Sequence, residues 1–302
     1  MSSPTDRPAP FARAVPRVLS IAGTDPTGGA GIQADLKSIA ANGGYGMAVV
    51  TALVAQNTHG VRSVHTPPPE FLREQLDAVS DDVVIDAVKI GMLGEAVTVA
   101  VVRGWLDTVR PPIVVLDPVM VSTSGHRLLA ADAEDAVRRL VPFADLVTPN
   151  LPELAVLVGA PLAPDWATAL EQARRLSADT GAIVLAKGGH LEGALSPDAL
   201  VDASGRVAAG LFESTGERVA TVNTHGTGCS LSSALATRQA QTLDWVRSLT
   251  LSKHWLLDSL RHADALEVGT GRGPISHLHA LWSVAAQNSP APPDQKAPRP
   301  LW

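Results

Sequence analysis

Val18-Leu19-Ser20-Ile21-Ala22-Gly23-Thr24-Asp25-Pro26-Thr27-Gly28-Gly29-Ala30-Gly31-Ile32-Gln33-Ala34-Asp35 decides the fold of this chain. An apolar run of strand length meets a turn dense in glycine, and helical spacing begins at once on its far side. That is the opening half of a βαβ unit, and the same alternation recurs downstream. Strands are expected at Val18 to Gly23, Tyr45 to Ala52, Ala87 to Met92, Ile113 to Leu116, Leu146 to Thr148 and Ile183 to Ala186. Helices are expected between them at Ile32 to Ala41, Glu70 to Val79, Val97 to Val109, Asp132 to Leu140 and Trp166 to Asp179. Residues from Asp198 to Val222 read as a β-rich excursion at a sheet edge, and two long helices begin at Gly228 and Leu243. Strands alternating with helices specify an α/β fold with a mostly parallel central sheet flanked by helices.

The glycine turn also matches a dinucleotide fingerprint, because Gly29, Gly31 and Ala34 satisfy G-x-G-x-x-A. Two details oppose a dehydrogenase. Extra residues separate strand from fingerprint, and the region about twenty residues on, Ala52-Leu53-Val54-Ala55-Gln56-Asn57, offers no acid for a ribose hydroxyl. The Walker pattern is absent.

A second glycine turn, Asn223-Thr224-His225-Gly226-Thr227-Gly228-Cys229, precedes a helix. Helix starts carry unpaired N–H groups and partial positive charge, and glycines let them close around an anion. Cys229 is the single cysteine of the 302 residues. The same field is expected to lower its thiol pKa, and one unit would raise the thiolate fraction at pH 7 from roughly 3% to about a quarter. The plainer reading is a small buried hydrophobe.

Further polar residues fall just past expected strand ends, the edge where an open α/β sheet binds its ligand. These are Gln56, Asp117, Asn150 with Glu153, and Lys187 in Lys187-Gly188-Gly189-His190. Acid, N-x-x-E pair, lysine and anion cradle on one edge suit magnesium-dependent phosphoryl transfer. Asn150 and Glu153 equally form a plain capping box. His277-x-His279 lacks a third ligand of recognisable spacing, and Trp255 and Leu256 read as core.

One cysteine excludes an internal disulfide and fits a reducing compartment. The first residues lack the apolar segment of a signal peptide, and no apolar run is long enough to span a bilayer, so a soluble, cytoplasmic protein without a membrane partner is expected. A net charge of -6 without a basic cluster opposes a nucleic-acid surface. Residues 1–16 and 283–302, rich in proline and without core periodicity, are expected to be disordered.

The motifs IAGTDPTGGAGIQADLKS, TALVAQNTHGV, KIGMLG, VLDPVM, TPNLPE, AKGGH and NTHGTGCSLSSALA, in that order, closely resemble the hydroxymethylpyrimidine/phosphomethylpyrimidine kinases of thiamine biosynthesis, members of the ribokinase-like superfamily. The resemblance runs from Val18 to about Trp282. It implies a three-layer sandwich, a single kinase domain over residues 17–282, and two ATP-dependent phosphorylations, of hydroxymethylpyrimidine and then of its monophosphate. It further implies that Gln56 binds the aminopyrimidine, with Gly23, Asp35, Met92 and Val119 around it. Asp117 and Glu153 would organise Mg2+, Lys187 with Asn150 would lie against ATP, and Gly226, Thr227 and Gly228 would form the anion hole. Cys229 would be the base, and a homodimer is the common assembly. Many relatives carry a lysine after VLDPVM, where this chain reads Val121-Ser122-Thr123-Ser124-Gly125. A pyridoxal kinase of the same superfamily and a non-catalytic pyrimidine sensor are the competing readings; the sensor would need neither the glycine cradle nor the lysine.

Overall fold

A computed structural model describes residues 11–120, 129–130, 133–191, 193 and 195–288. Its chain order opens with β1 (Arg17–Gly23), α1 (Gly31–Ala41), β2 (Tyr45–Asn57), β3 (Gly60–His65), α2 (Pro69–Ser80), β4 (Ala87–Ile90), α3 (Ala96–Val109) and β5 (Val114–Leu116). It continues through α4 (Glu134–Leu140), β6 (Leu146–Val147), α5 (Leu151–Val158), α6 (Trp166–Thr180), β7 (Ile183–Lys187), β8 (Leu195–Val201) and β9 (Leu211–Glu217). It closes with α7 (Thr227–Thr242), α8 (Trp245–Arg261) and α9 (His279–Asn288).

The described strands form one sheet in the order β3-β2-β1-β4-β5-β6-β7-β8-β9. Neighbours from β2 to β7 pair in parallel, and β3, β8 and β9 add antiparallel edges. Side chains alternate between faces along a strand, and β1 divides accordingly. Leu19 and Ile21 join α2 to α6 in one core, while Val18 joins α1, α7 and α8 in the other. Three layers result. Trp255 and Leu256 lie in the second core, as expected.

Helix boundaries follow local chemistry. Asn150 caps α5 in a complete capping box and Gly159 ends it at φ 63. Asp165 and Asp244 cap α6 and α8 by accepting from Thr168 N and Arg247 N.

Two expectations about the strands change. β2 does not stop at Ala52 but runs to Asn57 and turns back into β3, and a register shift falls between Ala55 and Gln56. A bulge of this kind re-aims the side chains beside it. The excursion after Asp198 is the edge pair β8 and β9, which begins earlier, at Leu195.

At the ends of the chain the expected boundaries shift as well. Within the expected extension 1–16, Pro16 is buried, its carbonyl accepts Tyr45 N, and Arg13 N donates to Ala240 O. The expected tail from Ser283 begins inside α9. Residues 121–125, where the expected lysine is missing, lie outside the described residues.

Strand order reverses direction beside β1, since β2 lies on one side and β4 on the other. This switch point, at the C-terminal strand ends, is where such sheets bind ligands.

Candidate active site

The first glycine turn leaves β1 and is held by Asp25. Its Oδ1 accepts Thr27 N at 2.9 Å and Thr27 Oγ1 at 2.7 Å, while Oδ2 accepts Ala30 N at 2.8 Å and Gly29 N at 3.1 Å. His225 Nε2, from the second glycine turn, lies 2.8 Å from the same Oδ2. Burial alone would raise the Asp25 pKa, but the bonds from His225, Gln56 and Thr27 outweigh it and hold the carboxyl well below the usual range. Sequence reasoning passed over Asp25 and His225. The signal was present: an Asp followed by Pro-Thr-Gly is an Asx-turn pattern, whose side chain bonds the backbone two residues on.

α7 begins at Thr227 after Gly226, and no side chain caps it. The first N–H groups of a helix have no acceptor within it. Gly228 faces the end of the sheet: a Cβ there would stand 3.5 Å from Lys187 Nζ and 3.6 Å from Asp117 Oδ2. Gly226, Thr227, Gly228, Lys187 and Asp117 are thereby brought together.

Asp117 follows β5 and is buried. Its Oδ1 accepts Thr148 Oγ1 at 3.0 Å and stands 3.3 Å from Lys187 Nζ. Burial opposes its charge, yet Lys187, Lys89 and the Thr148 bond lower its pKa. Burial likewise disfavours the Lys187 ammonium, and Asp117 and Glu153 more than offset this. Glu153 Oε2 accepts Asn150 N at 2.9 Å, while Asn150 Oδ1 accepts Glu153 N at 2.9 Å. The plain capping box is therefore real, and it stands beside the Asp117 and Lys187 pair. Burial, with repulsion from Asp117, pushes the Glu153 carboxyl up to about 7 against the opposing pull of Lys187. Asn150 bridges to Lys187 at the start of α5.

Met92 and Val119 share a small apolar cluster with Ala52, Val54 and Val61 on the β2 and β3 hairpin that carries Gln56. Gly23 completes this wall, since a Cβ there would meet Met92 Cε at 2.6 Å. Asp35 does not take its expected place on it. The carboxylate is fully buried, with Lys89 Nζ 2.8 Å from both oxygens, Ser233 Oγ donating at 2.8 Å and Ser20 Oγ at 2.6 Å. Its oxygens are spent inside the protein. Lys89 was missed by sequence reasoning, although a lysine inside the four-residue strand Ala87–Ile90, every position of which is buried, demands a partner.

Cys229 lies in the first turn of α7, partly exposed. The expected lowering of its pKa is reversed. Burial pushes the thiol up to about 11, helped by Asp35 and Asp117, and opposed by Lys89 and a bond from the Gly31 N–H. Desolvation outweighs the Lys89 charge and the Gly31 bond here, and the resting thiol is neutral.

His277 is buried with Nε2 2.8 Å from Ser230 Oγ, and burial lowers its pKa to about 3. His279 Nδ1 instead lies 3.0 Å from Ser276 O. A separate cavity of about 250 Å³, lined by Ser80, Val83, Arg110 and Pro111, precedes β4 and β5 and so opens at the opposite edge of the sheet.

The fold is that of the ribokinase-like superfamily, and comparison with known proteins refines that class. The phosphomethylpyrimidine kinase family model matches residues 25–276. The chain belongs to this family. It is 57% identical over 277 residues to a thiamine biosynthesis multifunctional protein of Corynebacterium glutamicum, covering 91% of this chain but 36% of that one. It is 49% identical over 265 residues to the hydroxymethylpyrimidine/phosphomethylpyrimidine kinase of Escherichia coli, covering 87% of this chain and 98% of that protein. An ADP complex of Bacillus subtilis pyridoxal kinase superposes with a TM-score of 0.79 at 29% identity, covering 88% of this chain and 99% of that one. The chain thus spans about a third of the Corynebacterium glutamicum relative and nearly all of the Escherichia coli one.

Proposed function

We propose that the chain transfers the γ-phosphoryl group of ATP to the hydroxymethyl oxygen of 4-amino-5-hydroxymethyl-2-methylpyrimidine, and then phosphorylates the monophosphate to the diphosphate. The observation that carries this reading is Gly228 at an uncapped helix start, where a Cβ built on it would stand 3.5 Å from Lys187 Nζ and 3.6 Å from Asp117 Oδ2. A transferring phosphoryl group would be met there by backbone N–H groups and an ammonium. The pyrimidine would lie between Gln56 and the wall of Gly23, Met92 and Val119, with its alcohol toward Cys229.

The alcohol oxygen forms the new P–O bond as the bond to ADP breaks, and its proton leaves to a base. Cys229 can take that proton only as thiolate, a form its surroundings disfavour at rest. Phosphoryl transfer has a loose transition state, so positioning and charge neutralisation by Lys187 and the helix start contribute more than proton removal.

Asp117 and Glu153 fit a magnesium ion. Magnesium keeps several waters and typically uses one or two carboxylates with substrate phosphates, the donor type that Asp117 and Glu153 supply. A bound ion would neutralise phosphate charge and relieve the repulsion felt by Glu153. A homodimer, a cytoplasmic setting and a single kinase domain belong to the same proposal, supported by the family. Among the described residues no helix is long and apolar enough to cross a membrane.

Pyridoxal phosphorylation is the second reading, favoured by the likeness to the Bacillus subtilis enzyme. A coupled ATPase assay with hydroxymethylpyrimidine, its monophosphate and pyridoxal side by side tests both. A kcat/KM for pyridoxal roughly tenfold or more above that for the pyrimidine would overturn the first.

A further inference from the structure

A buried ion pair adds little stability over apolar residues of similar volume, so one kept beside a reaction site calls for another reason. Asp198 of β8 and Lys253 of α8 are such a pair: both are buried, and Lys253 Nζ lies 2.8 Å from Asp198 Oδ2. The same ammonium donates to Ser214 O of β9 at 3.0 Å. The second carboxylate oxygen, Asp198 Oδ1, accepts the N–H of Gly188 at 3.2 Å. Gly188 directly follows Lys187, and Lys187 is the residue that faces Asp198 where the antiparallel pairing of β7 with β8 ends. The Asp198 side chain thus takes the first N–H beyond the pairing. Lys187 N donates to Pro149 O at 3.3 Å, and a Cβ on Gly188 would collide with Pro197 O, so the turn is seated backbone on backbone.

We propose that Asp198 and Lys253 are positioning residues for phosphoryl transfer: they fix the peptide from which Lys187 reaches, and so hold its ammonium beside Asp117 and the start of α7. The inference rests on the kinase reading above and deepens it. Lys187 Nζ stands 3.3 Å from Asp117 Oδ1 at the end of a flexible four-carbon stem. Its place is therefore only as well defined as the backbone that carries it. Asp198 defines that backbone, and Lys253 defines Asp198. Without Lys253 the buried carboxylate loses its counter-charge and its fixed orientation, and the turn it holds is released. A misplacement of about 1 Å at a group that orients or neutralises a substrate costs on the order of 10²-fold in rate.

The test is a kinetic double-mutant cycle on the full chain with ATP and hydroxymethylpyrimidine, read under single turnover, where slow rates remain measurable. Lys253→Met should lower kcat roughly tenfold or more and raise the KM for ATP, while calorimetric pyrimidine affinity without ATP stays within about twofold of wild type. Lys253→Arg keeps a cation for Asp198 and should recover most of the loss. In a Lys187→Met background, Lys253→Met should cost less than about twofold, because the group it positions is already gone. A pair that serves the fold alone would leave kcat untouched, or cost the same factor in both backgrounds; either result refutes the proposal. Where thermal melting shows that Lys253→Met does not fold, Asp198→Asn carries the same cycle: it keeps an acceptor for Gly188 N and removes only the ion pair, and the same non-additivity is expected. Wild-type protein that phosphorylates pyridoxal but not the pyrimidine would sink the acceptor assignment alone, and the cycle then runs with pyridoxal. Transfer to neither would sink both.

Discussion

Gly226 rides directly on the carbonyl of Gly29: a Cβ built on it would stand 1.8 Å from that oxygen, and its φ is 76°. Backbone stands against backbone there, with no side chain able to yield. Gly226→Ala should destabilise the protein by about 3 kcal/mol or more, read by denaturant unfolding. Gly228 differs, because it lies inside α7 without positive φ and an added Cβ meets only ordinary contacts. Gly228→Ala should melt within a few degrees of wild type while losing turnover by roughly 10²-fold or more. Equal melting temperatures for the two variants would refute this division.

Alkylation of Cys229, the sole cysteine, reads its ionisation directly. With the thiol pushed up to about 11, the iodoacetamide rate should rise about tenfold per pH unit from 7 to 9 without a plateau. A plateau below pH 9 would restore the lowered pKa expected from the helix start. Cys229→Ser should lower kcat by roughly 10²-fold with nucleotide affinity nearly unchanged.

The buried pair of Lys89 and Asp35 should answer to single and double substitution differently. Lys89→Met strands a carboxylate in the core and should cost about 3–5 kcal/mol. Adding Asp35→Leu should recover part of that loss. A double variant no more stable than Lys89→Met, in urea unfolding, would show that the two do not act as a pair.

Acid should weaken the fold through His277. Its folded pKa, about 3, lies below the ordinary 6.5, so the unfolded chain takes the proton first. The stability that depends on its neutrality is complete above about pH 6.5 and declines as pH falls toward 3. By pH 5 the loss is about 2 kcal/mol, and His277→Gln should remove that slope from the dependence of melting temperature on pH. An unchanged slope in the variant would assign it elsewhere.

The central strands were legible because their buried, branched residues alternate with helical spacing. β3 was not, since Gly60–His65 buries none of its residues and gives no apolar signal. Asp117, Lys187 and Glu153 were legible from their places at strand ends, and the structure does bring them together. Asp25 and Lys89 were not, because each acts through partners far away in the chain: His225 lies 200 residues beyond Asp25, and Asp35 54 residues before Lys89. The ionisation of Cys229 failed for a related reason. Sequence reveals the helix start but not how much water the fold removes from it.

Glu153 serves two masters. Through Oε2 it closes the first turn of α5, and the rest of the carboxyl belongs to the electrostatics of Asp117 and Lys187. Whatever arrives among those charges therefore pulls on a helix end as well as on a ligand. Occupancy should be audible in the backbone: slower amide hydrogen exchange at Asn150, whose N–H is the one Glu153 holds, would report filling of the site through the helix cap.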